Sequence, residues 1–207
     1  MPDPRDARVP DSTRKELSRL ARRYGLVACV SGRTSDVARS IVGVPELTYV
    51  GEHGLELEPD AASWSGRIHD FGRHAGWPFE EKPFSVAFHY RTAADPDAAR
   101  RQLDSIEAAA QAEGLHTRWG RLVLEVLPPI DASKRTAVTH LLERGNFDRA
   151  LYAGDDVTDL DAFSALDGLE VGVRIAVASP EGPPALSERA DLVVESPAAL
   201  AALLAEL

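Results

Sequence analysis

Four short apolar runs, at 26–30, 47–50, 150–153 and 171–177, limit what this chain can fold into. Each is too short for a buried helix, and the first is continuously apolar rather than alternating, the pattern of a strand covered on both faces of a parallel sheet. Helical patterns lie between them. Asp11 and Ser12 cap a helix over 13–24 with Leu17, Leu20 and Ala21 at helical spacing, ending at Gly25. Further helices are predicted over 34–42, 133–144 and 160–166, with an amphipathic one closing the chain at 197–207. Strands alternating with helices imply an α/β fold built on a parallel sheet.

The rhythm breaks near Pro59. Trp64, Gly66, Gly72, Gly76 and Pro78 interrupt any helical period, and 84–90 then alternates as a half-buried strand does. An Ala- and Gln-rich surface helix is predicted over 95–113 and another strand over 122–127. The expected layout is an α/β core at 1–57 and 130–207, interrupted by a small α+β cap at 58–129.

Among 207 residues the net charge is −10, which argues against nucleic-acid binding, since that needs clustered Lys and Arg. A single small phosphate is still compatible with such a chain, held by local cations, a metal ion or helix N-termini. Cys29 is the one cysteine, so no disulfide forms within one chain, and a buried thiol is expected. No stretch approaches the ~20 apolar residues of a membrane span. Asp3, Arg5, Asp6 and Arg8 stand where a signal peptide needs an apolar core. A cytoplasmic monomer without membrane partners is expected.

In open α/β sheets the ligand sits beyond the carboxyl ends of the strands, so residues just after each strand carry the most weight. Ser31-Gly32-Arg33 offers a hydroxyl and backbone N–H groups that would suit phosphate oxygens or, equally, a plain capped turn. Lys134 opens a helix after Asp131-Ala132-Ser133, where an ammonium can neutralise a phosphate or simply be solvated. Gly154-Asp155-Asp156-Val157-Thr158-Asp159 sets three carboxylates within five residues of a buried strand. That clustering is costly unless a hard cation neutralises it, and one helix cap accounts for only one of the three.

Taken in order, Ser31-Gly32-Arg33, Gly51-Glu52-His53-Gly54, the strand from Lys82 to Arg91 ending His89-Tyr90-Arg91, Glu125, Lys134 and the Gly154–Asp159 turn followed by Asp161-Ala162-Phe163 resemble the trehalose-6-phosphate phosphatases of the haloacid dehalogenase superfamily. The resemblance implies a Rossmann-like core with an inserted C2-type cap, and Mg²⁺-dependent hydrolysis of trehalose 6-phosphate through an aspartyl-phosphate. It implies Asp155 as metal ligand with Asp156 and Asp159 in support, and Ser31 and Lys134 gripping the phosphoryl oxygens, with Gly32, Arg33 and His53 beside them. For the sugar it points to Glu80, Lys82, Arg91, Arg121 and Glu125, charged groups able to fork onto neighbouring hydroxyls. Without it, Lys82, Arg91 and Glu125 would read as exposed strand charges, and His53 and His89 as histidines bonded within the fold.

The family's Asp-x-Asp-Gly-Thr-Leu segment, which carries the nucleophile and the acid/base and belongs a few residues before Asp6, does not occur in this sequence. Its strand lies at the sheet's centre in the family, so unpaired neighbouring edges are expected. A late start is the expected reason, and residues 1–207 alone are expected to show no turnover. The cap also has room for less helix between Gly66 and Gly76 than the family has. Hydrolysis of another sugar phosphate, or noncatalytic binding of one, are the alternatives.

Overall fold

A computed structural model describes residues 7–120, 122–179 and 182–207. The chain divides into two compact units, one made of Met1–Gly54 and Ala132–Leu207, the other of Leu55–Asp131. These boundaries lie within three residues of those expected from the change in sequence texture.

The first unit opens with α1 (Asp11–Arg23), β1 (Ala28–Val30), α2 (Ser35–Val42) and β2 (Thr48–Val50). Thr34 caps α2 by accepting the Val37 N–H, and Gly43 ends it in the left-handed conformation at φ 69°. The two strands pair in parallel, Cys29 opposite Tyr49. Leu17 and Ala21 of α1 pack with Val27, Ala38, Val44, Leu47 and Tyr49, so the helical stripe read from the sequence is the face that is covered.

The second unit contains α3 (Ala61–His74), β3 (Glu80–Glu81), β4 (Val86–His89), α4 (Pro96–Ala112), β5 (His116–Gly120) and β6 (Val123–Leu127). Its sheet is antiparallel in the order β3-β4-β6-β5. Ile68 and Phe71 of α3 and Leu103, Ile106 and Ala110 of α4 pack on Val86, Phe88, Leu124 and Val126. Each large apolar side chain buried this way contributes about 1.5–3 kcal/mol. The fourteen-residue helix α3 overturns the expectation of a broken segment. Its glycines cost about 1 kcal/mol each in propensity, but a side chain at Gly72 would come within 3.0 Å of Phe79 and 3.1 Å of Val86, so packing requires the small residue. The strand at 84–90 also departs from half-burial: Ala87, on the face opposite the apolar core, is as buried as Val86 and Phe88.

The chain then completes the first unit with α5 (Lys134–Gly145), β7 (Arg149–Gly154), α6 (Val157–Ser164), β8 (Val171–Val177), α7 (Pro184–Arg189), β9 (Leu192–Val194) and α8 (Pro197–Ala205). The strands β7, β8 and β9 form a second parallel sheet in that order. Among the described residues neither β1 nor β7 pairs on its other edge, so the parallel sheet exists as two pieces. They share one apolar cluster, in which Val30 of β1 and Ala150 and Tyr152 of β7 pack with Val138 of α5 and Ala162 of α6. Leu151, Val171, Leu192 and Val193 are 40–51% exposed, high for apolar residues of a parallel sheet. Helix α8 is apolar along nearly its whole length rather than amphipathic, and none of its residues is fully buried. Its end is tied to α1 through the Arg19 guanidinium, which donates to the Leu204 carbonyl at 3.1 Å. Among the described residues no helix is long and apolar enough to cross a membrane.

Candidate active site

Helix α6 begins at Val157, inside the acidic run rather than at Leu160 as the sequence suggests, and this shift redistributes the three carboxylates. Asp156 becomes the N-cap and accepts the Val157 N–H at 2.7 Å. Asp159 becomes the third helical residue, where its side chain reaches back to accept the Asp155 and Asp156 N–H groups through Oδ2, each at 2.9 Å. The two complete a capping box, an arrangement that satisfies orphan donors at a helix start. Only Asp155 keeps its carboxylate exposed without a capping role.

The other oxygen of Asp159, Oδ1, accepts from the Lys134 ammonium and from the Tyr152 hydroxyl, both at 2.7 Å. Asp159 is only 2% exposed, and four donors fill its carboxylate. Burial raises its pKa, but the Lys134 charge and the hydrogen bonds outweigh that and hold it below the ordinary carboxylate value. Asp155 goes the other way: burial and the neighbouring Asp159 charge push it up, with Lys134 opposing. Burial and Asp159 together hold the Tyr152 hydroxyl protonated far above its usual range.

Gly154 makes this possible. A β-carbon there would stand 2.2 Å from Asp159 Cγ, so the close approach of the carboxylate to the end of β7 needs glycine. Lys134 is set by its own capping box, in which the Ser133 hydroxyl accepts the Thr136 N–H and the Thr136 side chain accepts the Ser133 N–H.

At the end of β1, Ser31 Oγ accepts the Arg33 N–H at 3.1 Å, the turn geometry read from Ser31-Gly32-Arg33. The His53 N–H donates to the Ser31 carbonyl and the Glu52 N–H to the Arg33 carbonyl, both at 2.9 Å, which ties the segment after β2 to the turn after β1. The His53 ring lies against Gly32, where an added β-carbon would be 2.4 Å from Nε2. Glu52 and His53 both hold positive φ, 46° and 56°, an uncommon conformation for side chains of this size, and Glu52 is 2% exposed. Cys29, on β1 two residues before Ser31, is half-buried, and the pKa of its thiol is raised by burial against a smaller lowering by Lys134.

In the cap unit the strand register aligns Glu80, Ala87, Glu125 and Arg118 in one row across four strands, on the face opposite the apolar core. Lys82 Nζ bonds Glu125 Oε1 at 2.6 Å, with both side chains under a tenth exposed. This is a buried ion pair, where the sequence alone suggested exposed strand charges. His89 Nε2 lies 2.8 Å from Glu80 Oε2 near the surface, and Arg91 is exposed in the turn after β4. Arg121 lies outside the described residues.

The expected metal cluster of Asp155, Asp156 and Asp159 does not form: among the described residues no three His, Cys, Asp or Glu groups converge on a common point. Asp156 and Asp159 are committed to the helix cap and to Lys134. The donor chemistry still fits a small hard cation at Asp155, because Mg²⁺ keeps several waters and is bound through one or two carboxylates together with substrate phosphate. Sequence reading passed over Tyr152 and Arg118. A usable signal was the lysine count: of 23 basic residues other than histidine only Lys15, Lys82 and Lys134 are lysines, and two of those three sit in buried ion pairs.

The trehalose-phosphatase family profile matches residues 1–71 and 67–195, nearly the whole chain. The chain belongs to this family. A trehalose-phosphate phosphatase of Mycobacterium avium is 36% identical over 202 residues, covering 84% of this chain and 50% of the relative. One of Mycobacterium tuberculosis is 31% identical over 196 residues, with 83% and 50% coverage. The chain thus spans about half the length of the curated relatives it matches. Among solved structures, a trehalose-6-phosphate phosphatase related protein superposes with a TM-score of 0.78 at 19% identity, over 99% of this chain and 89% of that one. The C-terminal domain of Candida albicans trehalose-6-phosphate phosphatase superposes at 0.74 and 22% identity, over 100% and 88%. These likenesses establish the α/β fold.

Proposed function

We propose that this chain serves the hydrolysis of trehalose 6-phosphate to trehalose and phosphate, with Mg²⁺ as cofactor. The observation that carries the reading is the preformed Lys134–Asp159 pair at 2.7 Å next to the open carboxylate of Asp155, in a member of the trehalose-phosphatase family.

The geometry supports the following roles. Lys134, anchored on Asp159 and on its capped helix, offers the remaining ammonium protons to phosphoryl oxygens. Ser31 and the N–H groups of its turn hold another edge of the phosphate. Asp155 would hold Mg²⁺, which when bound neutralises phosphate charge and favours in-line attack. The attacking carboxylate and the acid that protonates the sugar oxygen would come from an Asp-x-Asp strand, for which the unpaired edges of β1 and β7 offer hydrogen-bonding partners. On the cap, Lys82, Glu125 and Glu80 supply the donors and acceptors that a polyol demands, with Arg91 and Arg121 as further candidates by family resemblance.

The test is phosphate release from a panel of sugar phosphates with Mg²⁺, using the chain extended at its N-terminus by the family's Asp-x-Asp-Gly-Thr-Leu strand. Preference for trehalose 6-phosphate over sucrose 6-phosphate and glucose 6-phosphate is expected, with no release by residues 1–207 alone. Equal rates on all three sugars would refute the substrate assignment, and turnover by residues 1–207 would refute the need for the added strand.

A further inference from the structure

We propose that Tyr152 is a positioning residue for phosphate binding: its hydroxyl shares Asp159 Oδ1 with Lys134 and so keeps the ammonium anchored yet available to an anion. The inference rests on the phosphate-holding role proposed for Lys134.

Tyr152 lies on β7 with its ring edge-on to Phe163 of α6, centroids 6.1 Å apart and planes at 85°. Phe163 is completely buried, so the ring has a fixed wall, and its hydroxyl reaches Asp159 Oδ1 at 2.7 Å. The Lys134 ammonium meets the same oxygen at the same distance. On the other side, Oδ2 is held by two backbone N–H groups, which fix the plane of the carboxylate. Asp159 therefore cannot rotate to give each donor its own oxygen, and Tyr152 and Lys134 must divide one.

That division has an electrostatic consequence. A carboxylate that gave Oδ1 to Lys134 alone would draw the ammonium fully onto itself, and a tight buried pair presents little net field to a third group. With the hydroxyl taking part of the electron density of Oδ1, the ammonium stays located but its charge is less completely cancelled. A purely structural tyrosine would need only its ring; the hydroxyl, aimed at the one oxygen that Lys134 also uses, goes beyond packing.

The experiment uses residues 1–207 labelled with ¹⁵N-lysine, which yields only three ammonium signals, from Lys15, Lys82 and Lys134. Inorganic phosphate is titrated into the wild type and into Tyr152→Phe, which keeps the ring and its contact with Phe163, and thermal melting is recorded for both. The expected result is that phosphate shifts the Lys134 signal in the wild type, and that the apparent Kd is about fivefold weaker in Tyr152→Phe. The Lys15 and Lys82 signals should follow the same course in both proteins. A lower melting temperature with an unchanged phosphate Kd would show that the hydroxyl is merely structural and overturn the inference alone. No phosphate response at Lys134 in the wild type would overturn the phosphate-holding role, and this inference with it.

Discussion

Replacing Asp159 by alanine removes the acceptor for four donors at once, and the structure allows the cost to be worked out. The Lys134 ammonium, 11% exposed, loses its carboxylate partner at 2.7 Å, and breaking a buried pair from one side costs about 3–5 kcal/mol. The Tyr152 hydroxyl, enclosed by Phe163 and its own strand, is left without its acceptor, adding roughly 1–3 kcal/mol. The Asp155 and Asp156 N–H groups are near solvent and turn to water at little cost. The sum is about 4–8 kcal/mol, set against a typical domain stability of about 5–15 kcal/mol. Urea unfolding monitored by far-UV circular dichroism should therefore place the midpoint of Asp159→Ala lower by at least about 1.3 M for slopes of ~1–3 kcal/mol/M. Asp159→Asn should be little better, because its amide sets an NH₂ group against either the lysine or the backbone N–H pair. Lys134→Met combined with Asp159→Leu should recover part of the loss, since removing both charges spares the buried cation. A loss below about 1 kcal/mol in Asp159→Ala, or full rescue by asparagine, would refute the claim that a saturated, charged carboxylate organises this site.

Gly154→Ala would force a β-carbon within 2.2 Å of Asp159 Cγ, and overpacking of this kind costs about 1–3 kcal/mol, readable as a lower melting temperature together with a displaced Lys134 ammonium signal. For Asp155 the sign runs opposite to Asp159. Its pKa is raised in the folded state, so its ionisation costs stability that grows as pH rises past the ordinary value of 3.8. Asp155→Asn should thus raise the melting temperature of the metal-free protein at neutral pH and lose that gain in acid, and calorimetry should show that it removes the stabilisation expected from the proposed Mg²⁺ binding. The pKa of Asp159 is lowered in the folded state, so the stability it contributes is present above its ordinary value of 3.8 and disappears as pH falls through the lowered one, visible as acid unfolding that Asp159→Asn lacks. In the cap, Glu125→Gln leaves the Lys82 ammonium buried beside a neutral group and should cost about 3–5 kcal/mol, detected as faster amide exchange along β4 and β6.

Much of the architecture was legible because the apolar period switches along the chain. The runs that became β1, β2, β7 and β8 are short and mostly apolar, α2 and α5 carry side-chain caps and α1 an apolar stripe that local chemistry dictates, while Asp11 and Ser12 lie inside α1 after Pro10 and do not cap it. The helix α3 was not legible, since Gly66 and Gly72 weaken its propensity and only the tertiary contact of Gly72 with Phe79 and Val86 gives the small residue its reason. The short strands β3 and β9 were hidden for a related cause: two or three residues carry too little pattern to register, and pairing with β4 and β8 defines them.

The site shows the same boundary between local and tertiary information at finer scale. Three aspartates in five residues suggest a cation to any reading that treats them as equivalent, but a helix start makes them inequivalent. The N-cap and third helical positions are places where carboxylates satisfy backbone donors, so a turn that begins a helix consumes Asp156 and Asp159 before a metal can use them. The pattern of aspartate, aspartate, two residues and aspartate is thus a capping box with one spare acid, and that spare, Asp155, is the residue whose ionisation the fold resists. A group held against its own charge is one that a cation would relieve, which supports the metal role proposed for Asp155 beyond the density of acids around it.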